Sequence, residues 1–430
     1  MTNLENTDTP LNQGMPAAAS MGTLKIMITS SIGLLPIRGA IVKISFTGDP
    51  EQTIETLATD DSGQTKTISV TAPNAALSLS PDQPQPYAEV TVSVTAPDYE
   101  PATVSGIQIL SGELAIQTIR LRPVFLPNAS GNESIYVIPA HTLYGDYSPK
   151  LPEDEIKPLP DTGEIVLSRV VIPEYVIVHD GVPTDGSAPN YYVRYKDYIK
   201  NVASNEIYST WPEAAILANV LAIQSFTLNR VYVEWYRSKG YNFTITSSTA
   251  YDQKWVNGRN TYESIDRIVD SVFANYLSRP GVRQPIFTSY CDGNKTTCRG
   301  LNQWGSRYLA DEGYSAIEIL RYYFGNDIYL NTAQQISGVP SSYPGYSLQN
   351  GSRGDKVRQL QSQINRIAQN YPAIPTLSVD GIYGPLTTNS VRIFQRIFGL
   401  PETGVTDYAT WYKVSEIYTG ITRISEPGAY

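Results

Sequence analysis

Histidine and cysteine are nearly missing from this chain, with two of each in 430 residues. A zinc hydrolase of the common kind takes two or three imidazole ligands, which here would require both His141 and His179. A serine or cysteine nucleophile activated by histidine needs one of the same pair. Carboxylates are therefore the groups best placed to run any catalysis, and no cofactor or metal ion is expected. Charge is thin as well, at 17% of residues, and 32 basic against 41 acidic side chains give a net charge of −9. Nucleic acid, which needs a basic face, is not an expected partner. No stretch approaches the roughly 18 uninterrupted apolar residues of a membrane span, so none is expected. Residues 1–22 are polar and acidic, without the basic start and apolar core of a conventional signal peptide, and read as a disordered N-terminal segment. Two cysteines in so long a chain also argue against a disulfide-stapled secreted fold.

What is present is enough apolar material, 41% of residues, for packed cores in roughly three domains. Residues 23–125 read as an all-β sandwich. The runs Thr23–Thr29, Ala40–Phe46, Thr65–Val70 and Ala88–Thr95 alternate or are β-branched, and turn signals such as Asp61-Ser62-Gly63 separate them. The pattern resembles the small transthyretin-like or carboxypeptidase-regulatory domains, and nothing in it reads as catalytic. Residues 126–165 form a linker punctuated by Pro127, Pro139, Pro149, Pro152, Pro158 and Pro160, with the acidic cluster Glu153-Asp154-Glu155. Such composition predicts an extended, solvent-exposed segment, either a spacer or a site of proteolytic processing.

Residues 166–335 turn to a mixed, helix-rich α+β pattern. A strand-like run over Val166–His179 precedes a helix over Val193–Ile207, whose apolar face Tyr195, Ile199, Val202 leads next to Glu206. A second helix opens at Pro212 and runs toward Gly240. Thr261–Leu277 reads as a third helix, and Ser315 with Glu318 as the capping box of a fourth. Residues 300–313 read as a Gly-rich polar approach to it. After a linker at 336–350, residues 351–420 read as a small three-helix unit.

A carboxylate on an apolar helix face invites two readings. Beside Tyr208 and Trp211, partial burial would hold Glu206 protonated as a general acid; otherwise it is a solvated helix-end carboxylate or half of an ion pair. The segment Asn205-Glu206-Ile207 with Ser209–Ala214 resembles the active-site segment of the stage II sporulation protein D family of lytic transglycosylases. Tyr251-Asp252-Gln253, then Phe287–Thr296, then Asn302-Gln303-Trp304-Gly305 follow in that family's order. The resemblance implies Glu206 as catalytic acid, with Tyr251, Asp252, Gln253, Ser289, Gln303 and Trp304 as candidates for holding the glycan. Leu217, Asn219 and Gln224 stand where the family usually carries Lys, Gln and Arg. Some members bind zinc through Cys and His. Here Cys291 and Cys298 have no nearby histidine, which leaves a short disulfide or two free thiols.

The C-terminal unit resembles the type 1 peptidoglycan-binding domain through Gly354, Val357, Leu360, Gln361, Asp380, Gly381, Tyr383, Gly384, Thr387, Val391, Phe394, Gln395, Gly404 and Trp411. The whole order resembles the clostridial spore cortex-lytic enzymes. That resemblance implies a precursor in the cortex and coat region of the spore, with cortex peptidoglycan as substrate and a subtilisin-like germination protease as activator. The expected product of glycan cleavage is a 1,6-anhydro-muramic end. An N-acetylmuramoyl amidase and a non-catalytic peptidoglycan-binding spore protein stay open as alternatives.

Overall fold

The computed structural model describes residues 20–126, 131–145, 148–158, 169–338 and 343–422. Most of the N-terminal segment 1–22, Pro127, Pro160 and the start of the run at Val166 lie outside them. The protein is multidomain, with a sheet-rich N-terminal region and a helical C-terminal one.

The N-terminal strands are β1 (Ser20–Ser30), β2 (Ile41–Phe46), β3 (Asp49–Ala58), β4 (Ile68–Ala72), β5 (Tyr87–Thr95), β6 (Ala102–Leu110), β7 (Leu114–Leu121) and β8 (Ser134–Val137). Five of them form a sheet in the order β3-β2-β5-β6-β8. In the second sheet β1 lies between β4, antiparallel, and β7, parallel. Alternation decides the inner faces: Leu24, Ile26 and Ile28 of β1 and Val90, Val92 and Val94 of β5 are buried. The turn at Asp61-Ser62-Gly63 is closed by Asp60, whose Oδ1 accepts from the Ser62 and Gln64 amides at 2.8 and 3.0 Å. Gly63 sits there at φ +71°, and a Cβ would stand 2.4 Å from the Ile28 carbonyl oxygen.

The central region holds α1 (Tyr195–Glu206), α2 (Glu213–Tyr232), α3 (Glu263–Val272), α4 (Gln303–Asp311) and α5 (Ala316–Phe324). A three-stranded sheet places Tyr175–His179 between Asn190–Arg194 and Ile245–Thr246. Helix α2 is the core helix. It is long and apolar enough to cross a membrane by length and composition alone, and most of it is buried among α1, α3, α4 and α5. The C-terminal helices are α6 (Asp355–Ala368), α7 (Pro385–Ile397) and α8 (Tyr408–Thr422).

Several sequence expectations need correction. The helix expected over Thr261–Leu277 is shorter. Thr261–Tyr262 instead adds to the edge of β7, and Asn275–Ser278 pairs with Tyr329–Thr332, because β-branched and aromatic residues found edge partners. The polar stretch 300–313 contains helix α4, capped by Asn302, which accepts from the Gly305 amide at 2.7 Å. The run at Val166–His179 is interrupted at Pro173, leaving Val171–Ile172 and Tyr175–His179.

The segment 126–165 holds a strand at Ser134–Val137 and a turn at 141–145 among its described residues, and it is not a free connector. Ser134–Val137 adds to β6 as β8, His141, Thr142, Leu143 and Lys157 are buried, and both glutamates of the acidic cluster are ion-paired. The modules also touch directly. Gln64 Nε2 donates to the Ile397 carbonyl at 2.5 Å, and the Tyr371 hydroxyl donates to that of Leu34 at 3.2 Å. Between α1, α3 and α8, Lys196 bridges Asp270 at 3.1 Å and Glu416 at 2.7 Å, while Lys200 meets Asp270 at 2.8 Å.

Candidate active site

Glu206 is the last residue of α1. The chain leaves the helix at Ile207, which is extended at φ −137° and ψ 154°, and Pro212 then starts α2. The carboxyl group has no exposed surface. Its Oε1 accepts from the Lys254 backbone N–H at 2.9 Å and the Tyr290 hydroxyl at 3.3 Å, and its Oε2 accepts from Gln303 Nε2 at 3.3 Å. The donors follow Tyr251-Asp252-Gln253, end Phe287–Tyr290 and open α4. Segments far apart in sequence thus converge on one carboxylate. Gln303 is fully buried, and its Oε1 has no hydrogen-bond partner.

The residues on either side of Glu206 are clamped from outside the central region. Thr142 donates to the Asn205 carbonyl through its amide at 3.3 Å and also through its hydroxyl. The His141 ring lies with Nε2 3.3 Å from the Ile207 carbonyl and stacks on Tyr208 at 4.3 Å. Burial pushes this imidazole well below its ordinary pKa, so it stays neutral. The Trp211 indole N–H donates to the Ser78 carbonyl at 2.9 Å, and the Ser78 and Thr210 hydroxyls meet at 2.6 Å.

The other candidate residues divide. Asp252 is fully buried and accepts from Arg230 Nε at 2.7 Å, the Tyr236 hydroxyl at 2.7 Å, and the amide and hydroxyl of Thr246 at 2.9 and 2.7 Å. Gln253 Oε1 accepts from the Tyr198 and Thr227 hydroxyls at 3.1 and 2.8 Å, and its Nε2 donates to the Ile223 carbonyl at 3.2 Å. Both are spent inside the fold. Trp304 is buried in an aromatic cluster, 5.0 Å from Trp211 and 6.2 Å from Tyr208, and offers no open ring face. Tyr251 and Ser289 are half-buried. Only Gln303 of this set touches Glu206.

Asn219 and Gln224, which stand where the resembled family carries Gln and Arg, tether helices. Asn219 donates to Ser306 Oγ at 2.7 Å, and Gln224 donates to the Val272 and Asn275 carbonyls at 2.8 and 3.1 Å. Cys291 and Cys298 are joined in a disulfide, so neither sulfur is free to ligate a metal. Among the described residues, no three His, Cys, Asp or Glu side chains cluster in a way that could hold a metal ion.

Sequence reasoning missed Tyr290, although it lies within the quoted stretch Phe287–Thr296, and Arg230, which grips Asp252. Burial alone would lower the Arg230 pKa, but Asp252 and Glu153 hold its guanidinium above the ordinary value. Lys150 was missed too, because nothing local in a proline-rich stretch marks a long-range contact.

Residues 353–414 match the peptidoglycan binding domain family. That stretch holds α6, α7 and the first half of α8. A curated relative, the zinc D-Ala-D-Ala carboxypeptidase of Streptomyces albus G, is 36% identical over 72 residues, 16% of this chain. The chain spans only 27% of that relative's length. Among solved structures, the SleB N-terminal domain is 30% identical, with 18% of this chain and 99% of that one covered and a TM-score of 0.16. GBS52, the minor pilin of Streptococcus agalactiae, is 15% identical, with 26% and 48% covered and a TM-score of 0.19. At such scores neither likeness bears on the fold.

Proposed function

We propose that this protein is the precursor of a spore cortex-lytic enzyme that cleaves peptidoglycan glycan strands as a lytic transglycosylase. The observation that carries the reading is the convergence on Glu206 of Lys254, Tyr290 and Gln303, each from or beside one of the segments that resemble the stage II sporulation protein D family. The peptidoglycan-binding module at 353–414 supplies the wall attachment such an enzyme needs.

In the proposed reaction, Glu206 gives its proton to the oxygen linking the muramic residue to the next glucosamine. The C1–O bond breaks toward an oxocarbenium-like state. The ionised Glu206 then takes the proton of the sugar's C6 hydroxyl, whose oxygen closes onto C1 as a 1,6-anhydro ring. The nucleophile belongs to the substrate, so a single carboxylate serves as acid and then base. Gln303 Oε1, buried and without a hydrogen-bond partner among the described residues, is the acceptor this reading assigns to an N-acetyl amide N–H.

In the uncut chain Glu206 has no exposed surface, which fits a precursor made to be cut. Mass spectrometry of digested cortex, before and after limited proteolysis within 126–165, tests both parts. Anhydro-muramic ends appearing only after cutting support the reading. New reducing ends or released stem peptides replace the transglycosylase with a hydrolase or an amidase, and full activity of the uncut chain removes the precursor. The buried Glu206 equally fits a wall-binding protein that does no chemistry, and sacculus binding without cleavage after trimming would decide for it.

A further inference from the structure

From Lys150 onward the proline-rich segment lies along the central region with its side chains alternating. Glu153, Glu155 and Lys157 turn inward, while Asp154, Ile156 and Pro158 face solvent. Both oxygens of Glu153 hold Arg230, at 2.8 and 2.7 Å, and both of Glu155 hold Arg279, at 2.6 and 2.8 Å. The Lys157 ammonium meets Glu153 at 3.0 Å and stands 3.8 Å above the Phe287 ring. Just upstream, Lys295 donates to the carbonyls of Tyr144, at 2.7 Å, and Gly145.

Lys150 sits at the centre of these contacts. Its ammonium donates to the carbonyls of Asp252 and, at 3.2 Å, Thr249, and the Leu151 amide donates to Ala250 at 2.8 Å. The same ammonium lies 4.6 Å from the centre of the Tyr290 ring, and the hydroxyl of that ring donates to Glu206. Burial lowers the Lys150 pKa, and the carboxylates of Glu206 and Asp252 work against that lowering.

We propose that residues 141–145 and 148–157 form an autoinhibitory strap lying where the glycan strand would bind, with the Lys150 ammonium over the Tyr290 ring that bonds Glu206, in the place of the cationic sugar ring. The inference rests on reading Glu206 as the catalytic acid. A carboxylate and an electron-rich ring that together favour positive charge would serve the oxocarbenium-like state and the ammonium alike. A mere spacer would not need four inward ionic side chains.

The strap is also built to come off. From Lys150 onward its large apolar side chains, Leu151 and Ile156, are 49% and 38% exposed, so this stretch is held by ion pairs and hydrogen bonds rather than by apolar burial. Cutting the chain is then only permissive, and activity appears when the strap leaves.

The test uses the uncut chain throughout, with proteolytically nicked wild type as the reference. Uncut Lys150→Ala is expected to release anhydro-muramic ends about tenfold faster than uncut wild type, and Lys150→Arg to stay near it. Amide hydrogen exchange across 141–157 is expected to speed up in Lys150→Ala and not in Lys150→Arg. Leu151→Pro, which deletes the amide bonded to Ala250 and alters no side chain of the central region, is a second way to loosen the strap. Faster exchange in either variant with no gain in activity, while nicked wild type is active, overturns the strap and leaves the enzyme standing. Unchanged exchange in Lys150→Ala overturns Lys150 as its anchor. If nicked wild type yields no glycan product, the catalytic reading of Glu206 fails, and with it the inhibitory role.

Discussion

Arg230 donates its Nε hydrogen to Asp252 Oδ1 at 2.7 Å, and neither side chain has any exposed surface. The remaining guanidinium nitrogens reach Glu153, so the proline-rich segment, the core helix α2 and the loop beside Glu206 meet in one ionic junction. Asp252 therefore belongs to the frame of the site, and its contribution to activity runs through the position of the Lys254 amide two residues on.

Asp252→Asn should expose that role. The amide cannot accept from all four donors, and it leaves Arg230 with less compensating charge, a loss of about 3 kcal/mol or more. Denaturant unfolding should show the drop in stability, while the KM of the folded fraction stays unchanged. A higher KM at unaltered stability would instead make Asp252 a substrate contact.

Glu206→Gln keeps a carbonyl oxygen to accept from the Lys254 amide, so the fold should persist. Wall binding through α6, α7 and α8 should persist with it. Cleavage by the nicked protein should fall by roughly 10²–10⁴-fold, the range for losing a general acid. Quantifying anhydro-muramic ends on sacculi checks the rate, and sedimentation with sacculi checks the binding. A variant that still cleaves at near wild-type rate removes the mechanism.

Asp266, on α3, carries a pH signature. Burial raises its carboxyl pKa to about 6, against the opposing pull of Lys200, and its Oδ1 has no hydrogen-bond partner. The folded chain thus keeps this proton where the unfolded chain, with an ordinary value of 3.8, has lost it. The stabilisation is complete below the unfolded value and disappears as pH rises through about 6. Asp270 runs the other way. Burial alone would raise its pKa, but Lys196 and Lys200 hold it well below the ordinary range, so its contribution is lost only in acid. Asp266→Asn should raise the thermal midpoint at pH 7 by the equivalent of about 1–3 kcal/mol and flatten the profile between roughly pH 4 and 6. A midpoint that falls at pH 7 would show that the Lys200 pairing outweighs the cost of burial.

Local pattern was legible wherever the chain answers to its neighbours in sequence. The two-residue alternation of β1 and β5 marks an inward face, and Ser315 with Glu318 marks the start of α5, where the Ser315 amide donates to Glu318 Oε2 at 2.8 Å. Helix α4 was not legible, because Gly305 and the polar residues around it hide its period, and its start depends on the Asn302 cap. A distant partner also decides Thr261–Tyr262, which read as the start of a helix and instead pairs with the edge that β7 offers.

The sequence by itself determined the kinds of chemistry open to this protein. Two histidines and two cysteines left the carboxylates, the apolar face of α1 drew attention to Glu206, and the resemblance of the segment around it implied its role. Only the tertiary structure decided what surrounds that carboxylate. Three donors from distant segments meet it, while Asp252, Gln253 and Trp304 turn to the frame. The proline-rich stretch that read as an exposed spacer or processing site packs against the central region with Lys150 over Tyr290. Spacing along a chain can encode a helix face or a turn, which depend on near neighbours. Ion pairs and aromatic contacts between residues a hundred positions apart depend on where the fold brings them, and no local pattern carries that information.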